Sequence, residues 1–165
     1  MNVISYLETD RLSTRHQSCT DLNVHMSINI RRWANIFDQM AKKNDQREKM
    51  IGAYTDKPEN MAGFIWYGPE RKKGDIGEIM ALYVLPQYWR AGIGTKLFNR
   101  AVTDLKNSEF SAVKIYTDGN DPIPNEFYRK MGAKPLSGIF NGYGSSSTHV
   151  SYLLGLEPQT MPLPQ

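Results

Sequence analysis

The chain has 165 residues, of which 40% are apolar and 22% charged, values ordinary for a soluble globular protein with one sizeable core. It contains no run of about 18 apolar residues that would predict a membrane-spanning helix, and its start, MNVISYLETDR, lacks the basic head and apolar run of a signal peptide. The single cysteine, Cys19, excludes an internal disulfide framework, and the net charge of +3 is spread along the chain, which fits a polyanionic ligand better than nucleic acid.

The first 40 residues predict a strand followed by helix. The segment from Val3 to Arg15 is interpreted as a first strand, and Thr20 or Asp21 is suited to cap the helix after it. Apolar residues then recur at spacings of three and four, which predicts one helix or two consecutive helices with a single apolar face. These residues are Leu22, Met26, Ile30, Trp33, Phe37 and Met40.

The next elements are strands. Met50–Thr55 and Met61–Tyr67 flank a turn rich in polar residues and predict a hairpin. Pro69–Asp75 is interpreted as an exposed hairpin tip. Gly77–Leu85 is a short apolar run with β-branched and aromatic members, which indicates a buried strand, and Pro86 ends it because proline has no N–H for a sheet ladder.

The stretch after this strand predicts an anion site. Trp89-Arg90-Ala91-Gly92-Ile93-Gly94 leads into a helical period that begins at Thr95. The first turn of a helix has N–H groups without intrahelical partners, and the helix dipole adds partial positive charge. Gly92 and Gly94 have no Cβ, so a phosphate is able to approach the backbone closely. The stretch is neither a Walker A loop nor a dinucleotide fingerprint.

The remaining chain alternates helices and strands. Gly132 is suited to cap the last predicted helix, which spans Asn125–Met131. Pro122 and Pro124 are tolerated only before that helix or within its first turn. The order of elements predicts an α/β sandwich with a mixed sheet. The strands Gly77–Leu85 and Ala112–Thr117 are predicted to be parallel, because a helix connects them. The predicted elements are a helix over Thr95–Asn107, a strand over Ala112–Thr117, a helix over Asn125–Met131, and strands over Lys134–Phe140 and Thr148–Gly155.

The order of these signals resembles the GNAT superfamily of acyl-CoA-dependent N-acetyltransferases. The family's loop reads Q/R-x-x-G-x-G/A, and here Trp89 stands at its first position while Gly92 and Gly94 match. The family's last helix often reads FY-x-K-x-G-F, and Phe127-Tyr128-Arg129-Lys130-Met131-Gly132-Ala133 follows that pattern with Ala133 in place of the final Phe. The resemblance covers roughly Lys49 to Leu156.

This resemblance implies a fold and a cofactor. The implied fold is a GNAT-like mixed central sheet of six to seven strands with flanking helices, whose central parallel pair splays apart at one end. The chain length predicts a single domain, over residues 1–156, and the three prolines of residues 157–165 predict a disordered tail. The resemblance also implies acetyl-CoA as co-substrate and no metal, while the single cysteine fits a reducing compartment and so a cytoplasmic location. The cofactor-binding residues it implies are Leu82, Tyr83, Val84, Arg90, Ala91, Gly92, Ile93, Gly94, Thr95, Lys96 and Asn125.

The chemistry implied is acetyl transfer to a primary amine by direct attack. Such an amine is protonated at neutral pH, and a carboxylate is able to take the proton. Glu78 stands four residues before Leu82, where several family members carry the general base, although a surface glutamate at a strand start is the alternative. The Leu82 amide is the implied oxyanion donor. Tyr128 is implied as general acid toward the thiolate, with a packed aromatic as the alternative.

The acceptor is left open between a small-molecule amine and a protein amine. In the family the region of Trp33 and Phe37 and the loop at 141–147, which contains Tyr143, border the acceptor, although a core-facing stripe and a plain mobile loop are the alternatives. Homodimers are common in the family, so a second copy of the chain is a candidate partner, whereas nucleic acid and membrane are not. A CoA-binding sensor or scaffold without turnover is the alternative function.

Overall fold

The computed structural model describes the backbone over residues 5–8, 47–54, 61–70, 75–141 and 148–156. Within these ranges it contains strands β1 (Ser5–Glu8), β2 (Lys49–Tyr54), β3 (Met61–Pro69), β4 (Ile76–Val84), β5 (Ala112–Asp118), β6 (Lys134–Asn141) and β7 (Thr148–Gly155). Its helices are α1 (Ile93–Asn107) and α2 (Pro122–Lys130), and a short 3-10 helix spans Pro86–Tyr88. The predicted stripe over residues 20–40, Tyr143 and the predicted tail lie outside these ranges.

The strands form one seven-stranded mixed sheet in the order β1-β2-β3-β4-β5-β7-β6. The predicted parallel pair is confirmed, because β4 and β5 run parallel with registered pairs from Ile76↔Ala112 to Ile79↔Ile115. In contrast, β7 is antiparallel to both β5 and β6. The mixed sheet with flanking helices is therefore the fold class that the sequence predicts.

By compactness the chain divides into two units, one comprising Met1–Trp66 and Ala81–Leu97, the other Tyr67–Met80 and Phe98–Gln165. In the first unit, β2 and most of β3 are buried, and the Leu85 N–H donates to the Ala62 carbonyl at 2.9 Å, one residue beyond the end of β4. The Trp66 indole N–H donates to Glu48 Oε2 at 3.2 Å. Backbone pairing therefore continues up to Leu85, directly before the proline.

In the second unit α1 packs closely on β4. A Cβ on Gly77 would lie 2.9 Å from Leu105 Cδ2, so only glycine permits this approach without a shift. The Tyr67 hydroxyl donates to Asp104 Oδ2 at 2.6 Å, which joins the end of β3 to the same helix. Residues of α1 that recur at helical spacing are buried, namely Ile93, Leu97, Phe98, Ala101 and Leu105.

Several predicted boundaries differ from the structure. The helix α1 begins at Ile93 rather than Thr95, because Gly92 already accepts the first i→i−4 bond from the Lys96 N–H. The helix α2 begins at Pro122 rather than Asn125, because the Asp121 side chain caps it and both prolines fit its first turn. It ends at Lys130, one residue before the predicted Met131. Gly132 lies directly after the cap residue Met131 with φ +85°, as a glycine cap requires.

The predicted exposed tip at Pro69–Asp75 is wrong for its first two residues. The strand β3 extends to Pro69, and the N–H of the next residue, Glu70, donates to the Ile76 carbonyl at 2.8 Å. Both Pro69 and Glu70 are buried. In the part of the chain that the structure describes, neither helix is long and apolar enough to cross a membrane.

Candidate active site

The loop before α1 is shaped by two residues with left-handed backbone. Arg90 has φ +64° and Gly92 has φ +77°, and an added Cβ on Gly92 would meet nothing within 4 Å. Because the Lys96 N–H is the first to bond within the helix, the N–H groups of residues 93–95 precede its hydrogen-bond ladder. Ile93 anchors this turn in the core, being 1% exposed.

The N-terminus of α1 has no acidic residue in its first turn. Its N-cap position is Gly92, which has no side chain to accept from the orphan N–H groups. The contrast with α2 is direct, since Asp121 Oδ1 there accepts from the Ile123 N–H at 3.0 Å. Arg90 and Lys96 are exposed beside the turn. Among the two described helices, α1 is therefore the one whose N-terminus suits an anionic ligand.

Trp89 contacts the end of β4. Its indole N–H donates to the Val84 carbonyl at 2.7 Å, while 48% of the residue remains exposed. Val84 is among the predicted cofactor-binding residues, and Trp89 occupies one of the two lone pairs of its carbonyl oxygen. Leu82, Tyr83 and Val84 are half-buried at this strand end, and burial raises the pKa of the Tyr83 hydroxyl above its ordinary value.

Glu78 lies in β4 and is 7% exposed, so it is not the surface residue of the alternative interpretation. Side chains alternate between the two faces of a strand. Gly77 faces α1, as its closeness to Leu105 shows, and Ile79 shares that face. Glu78 therefore points to the opposite face of the sheet. Its registered neighbour on β5 is Lys114.

Tyr128 lies on α2 and packs on the same face of the sheet as α1. Its ring centroid lies 6.1 Å from that of Phe98 on α1, 5.3 Å from Phe127 and 6.0 Å from Tyr152 on β7. Tyr128 is 5% exposed, and burial raises the pKa of its hydroxyl well above the ordinary value. The side chain is therefore protonated, and a potential hydrogen-bond donor, throughout the neutral pH range.

The two candidate catalytic side chains occupy opposite faces of the sheet at nearly the same level. Tyr152, which contacts Tyr128, is registered with Ile115, and Ile115 is registered with Ile79, the residue after Glu78. Registered neighbours share a face. Tyr128 therefore lies beside the row of registered residues that contains Ile79, and Glu78 is the preceding residue of β4. The two side chains are on opposite faces of the sheet.

The side chain of Asn125 is engaged with the protein itself. Its amide donates to the carbonyls of Asp118, at 2.8 Å, and Asp121, and its oxygen accepts from the Tyr152 hydroxyl at 2.7 Å. These bonds join the end of β5, the start of α2 and β7. They indicate a structural role, while the predicted contact of Asn125 with a cofactor stays a prediction.

The predicted acceptor residues Trp33, Phe37 and Tyr143 lie outside the described ranges. Two charged residues that are not among the predicted site residues, Lys114 and Glu70, lie on the Glu78 side of the sheet. Lys114 Nζ lies 2.8 Å from Glu70 Oε1, and the Glu70 side chain is 4% exposed. A signal for Lys114 existed in the sequence, because a lysine between the apolar residues Val113 and Ile115 predicts the polar face of a strand.

Comparisons with known proteins agree with this architecture. The family model of the acetyltransferase (GNAT) family matches residues 13–133. A solved structure from Desulfovibrio desulfuricans, assigned to the GNAT family of acetyltransferases, matches with a TM-score of 0.75 at 15% identity, over 94% of this chain and 100% of the other. The ribosomal-protein-S18-alanine N-acetyltransferase of Escherichia coli matches with a TM-score of 0.65 at 16% identity, over 98% and 99%.

A protein from Bacillus anthracis, named as a streptothricin acetyltransferase and solved in complex with acetyl coenzyme A, is a more partial match. Its TM-score is 0.59 at 20% identity, over 69% of this chain and 65% of the other. No curated protein sequence matches the chain. At these identities the solved structures show the fold alone, whereas the family model covers most of the sequence. The chain belongs to the GNAT family of acetyltransferases.

Proposed function

We propose that the protein transfers an acetyl group from acetyl-CoA to a primary amine by direct attack, with Glu78 as general base and Tyr128 as general acid. The observation that carries this proposal is the placement of the two side chains on opposite faces of the sheet at nearly the same level. Attack on a thioester brings the amine in from one side and expels the thiolate from another. Two proton-handling groups on opposite faces suit that division of work.

Glu78 serves the incoming amine. An alkyl amine with a pKa near ~10 is almost fully protonated at pH 7, and removing the proton costs roughly 4 kcal/mol at ~1.4 kcal/mol per pH unit. The buried Glu78 carboxylate takes that proton, directly or through water, and passes it to solvent. The amine nitrogen then forms the new bond to the acetyl carbon.

Tyr128 serves the departing thiolate. As the carbon–sulfur bond breaks, negative charge collects on sulfur, and the protonated hydroxyl of Tyr128 donates a hydrogen bond to it. The second proton of the amine nitrogen replaces the one that the thiolate takes, so the net products are the amide, free CoA and one proton. The Leu82 backbone N–H is the proposed donor to the developing oxyanion.

Acetyl-CoA is held, in this proposal, mainly by backbone groups. The pantetheine arm pairs with the end of β4 at Leu82, Tyr83 and Val84. The open space over Gly92 and the orphan N–H groups at the start of α1 receive the pyrophosphate. The residues proposed for the phosphates are Arg90, Ala91, Gly92, Ile93, Gly94, Thr95 and Lys96, with Asn125 as the further predicted contact.

The acceptor class is proposed to be a primary amine of a small molecule or a protein. Structures of similar fold include a protein named for acetylating the alanine of ribosomal protein S18 and one named for streptothricin, so both kinds of acceptor occur on this fold. Trp33, Phe37 and Tyr143 are the proposed acceptor contacts. A single cysteine fits the reducing cytoplasm as the proposed location.

The test is an acceptor screen. The protein is mixed with acetyl-CoA and a panel of amines that includes polyamines, amino acids and peptides with free N-termini, and release of free thiol and acetylated product are both measured. We expect thiol release that requires one class of amine and a matching acetylated product. Saturable binding of acetyl-CoA without turnover on any amine would support the non-catalytic CoA-binding alternative instead.

A further inference from the structure

The segment between β4 and α1 lies between two buried residues, Leu85 at 4% exposure and Ile93 at 1%. Residues 89–92 within it are exposed. Backbone hydrogen bonds extend along the segment as far as the N–H of Trp89, and among the described residues the N–H groups of residues 90–92 make no backbone hydrogen bond. The conformation of residues 90–92 therefore depends on how firmly Trp89 is held.

Two of these three residues have a left-handed backbone, with φ +64° at Arg90 and φ +77° at Gly92. Glycine adopts this region readily, whereas arginine does so at a cost, because its Cβ crowds the following carbonyl oxygen. An unfavourable backbone conformation persists only where neighbouring contacts fix it. A contact close to Arg90 is therefore needed to hold this turn.

Trp89 supplies that contact. Its indole N–H donates to the Val84 carbonyl at 2.7 Å, which joins the loop to the end of the strand five positions earlier. Because 48% of Trp89 is exposed, burial of the ring gives only part of the reason for a tryptophan here. The hydrogen bond from loop to strand is the feature that the side chain adds.

The Val84 carbonyl belongs to the edge of β4 that is proposed to pair with the pantetheine arm. Backbone polar groups of successive strand residues point to opposite edges. The Leu85 N–H points to β3, since it donates to the Ala62 carbonyl at 2.9 Å, so the Val84 carbonyl points away from β3. The registered pairs of β4 with β5 end at Ile79, before Val84. Trp89 thus joins the strand edge proposed for the pantetheine arm to the loop proposed for the pyrophosphate.

We propose that Trp89 is a positioning residue for acetyl-CoA, whose indole N–H holds residues 90–92 in the conformation that receives the pyrophosphate before the cofactor binds. The inference rests on the proposed binding of acetyl-CoA at β4 and α1. A loop that is ordered in advance improves affinity, because its ordering no longer opposes binding. The Val84 carbonyl has two lone pairs, so it is able to accept from Trp89 and from a pantetheine amide together.

This role also explains which residue stands at the first position of the loop. The family has Gln or Arg there, and this chain has Trp89. The three side chains differ in charge and shape, but each ends in an N–H donor. An N–H donor is therefore the property that the position keeps.

Two substitutions of Trp89 separate the donor from the ring. Trp89→Phe keeps an aromatic ring without a donor, and Trp89→Gln keeps a donor without a ring. In calorimetric titrations with CoA, we expect the Kd of Trp89→Phe to rise roughly 3- to 10-fold, the range that one net hydrogen bond corresponds to. The Kd of Trp89→Gln should stay within about 2-fold of wild type. In turnover, the defect of Trp89→Phe should appear in the KM for acetyl-CoA rather than in kcat.

A measurement without cofactor tests the positioning itself. The heteronuclear NOE of the backbone amides of residues 90–92 reports their order on the fast timescale. In the absence of CoA we expect a lower NOE in Trp89→Phe and a value near wild type in Trp89→Gln. Trp66→Phe is the matched control, because it removes another indole bond, to Glu48 Oε2 at 3.2 Å, outside the loop. This control should lower Tm and leave both the loop NOE and the Kd of CoA as in wild type.

An unchanged Kd for CoA, or an unchanged loop NOE, in Trp89→Phe would overturn the proposal. Equal losses in Trp89→Phe and Trp89→Gln would also overturn it, since they would assign the effect to the ring. Tighter binding of CoA by Trp89→Phe would show instead that Trp89 competes with the pantetheine arm for the Val84 carbonyl. Failure of the proposed function looks different, because a protein that binds CoA in a Trp89-dependent way and acetylates no amine would reject catalysis and retain this inference.

Discussion

Replacing Tyr128 by phenylalanine removes one oxygen from a buried ring and leaves the packing of the ring in place. The contacts of Tyr128 with Phe98, Phe127 and Tyr152 are made ring to ring. Phenylalanine reproduces these contacts, which are worth about 0.5–1.5 kcal/mol each beyond area burial. We therefore expect the free energy of unfolding of Tyr128→Phe to lie within about 1 kcal/mol of wild type.

The expected effect on turnover is much larger. If the Tyr128 hydroxyl donates to the departing thiolate, its loss lowers kcat roughly 100-fold, which corresponds to about 2.7 kcal/mol of transition-state stabilisation. Burial raises the pKa of Tyr128, so the donor is present at every pH up to at least ~10. The defect should accordingly stay constant as pH rises from about 6.5 to about 9.5.

Tyr67→Phe is the matched control. Tyr67 is also buried, at 1% exposure, but its hydroxyl donates to Asp104 at 2.6 Å and has no proposed role in the chemistry. Loss of a hydrogen bond to a charged group costs about 1.5–3 kcal/mol, so Tyr67→Phe should melt several degrees lower while keeping its kcat. Thermal melts and thiol release measured on both variants would refute the reasoning if Tyr128→Phe turned over at the wild-type rate.

Three further predictions concern the loop, α2 and alkaline stability. Thr95→Glu, in the first turn of α1, should raise the free energy of unfolding by about 0.3–1 kcal/mol, because a negative charge there interacts favourably with the helix dipole. The same variant should abolish the rise in Tm that acetyl-CoA produces, and a retained rise would exclude this turn as the phosphate site. Asn125→Ala should lower the free energy of unfolding by about 2–3 kcal/mol in denaturant melts, because the Tyr152 hydroxyl loses its acceptor and the carbonyls of Asp118 and Asp121 each lose one donor. An additional loss of acetyl-CoA affinity would support the predicted cofactor contact. Above pH ~10 the free energy of unfolding of wild type should fall by about 1.4 kcal/mol per pH unit relative to that of Tyr128→Phe. The reason is that the raised pKa keeps the proton on Tyr128 in the folded protein, whereas the tyrosine of the unfolded chain releases it. Parallel curves of unfolding free energy against pH would contradict this.

Local signals were sufficient to predict the central strand, the parallel pair and the cap of α2. Pro86 fixes where β4 ends, and Gly132, with φ +85°, ends α2 because few other residues adopt that backbone. The predicted start of α2, Asn125, is three residues too late, because Pro122 and Pro124 are compatible both with a position before the helix and with its first turn. Asp121 is the stronger signal, since a capping side chain directly before Pro122 turns both prolines into first-turn residues.

The surroundings of Glu78 could not be predicted from the sequence. Its burial depends on residues of other elements, and the pairing of Glu70 with Lys114 depends on a register that joins positions 44 residues apart. Long-range pairs of this kind have no local sequence pattern, because each charged residue, considered only with its sequence neighbours, predicts an exposed side chain. The same holds for the bond from Trp89 to Val84, where the sequence showed an unusual residue but not its partner.

The pH dependence of acetyl transfer by Glu78→Gln tests the central claim most directly. With an amine identified by the acceptor screen, rates of wild type and variant are compared from neutral pH toward the amine pKa of ~10. The account predicts a deficit of roughly 100-fold near pH ~7 that shrinks as free amine becomes abundant, with acetyl-CoA affinity near wild type. A Glu78→Gln enzyme with the wild-type rate at neutral pH would contradict it.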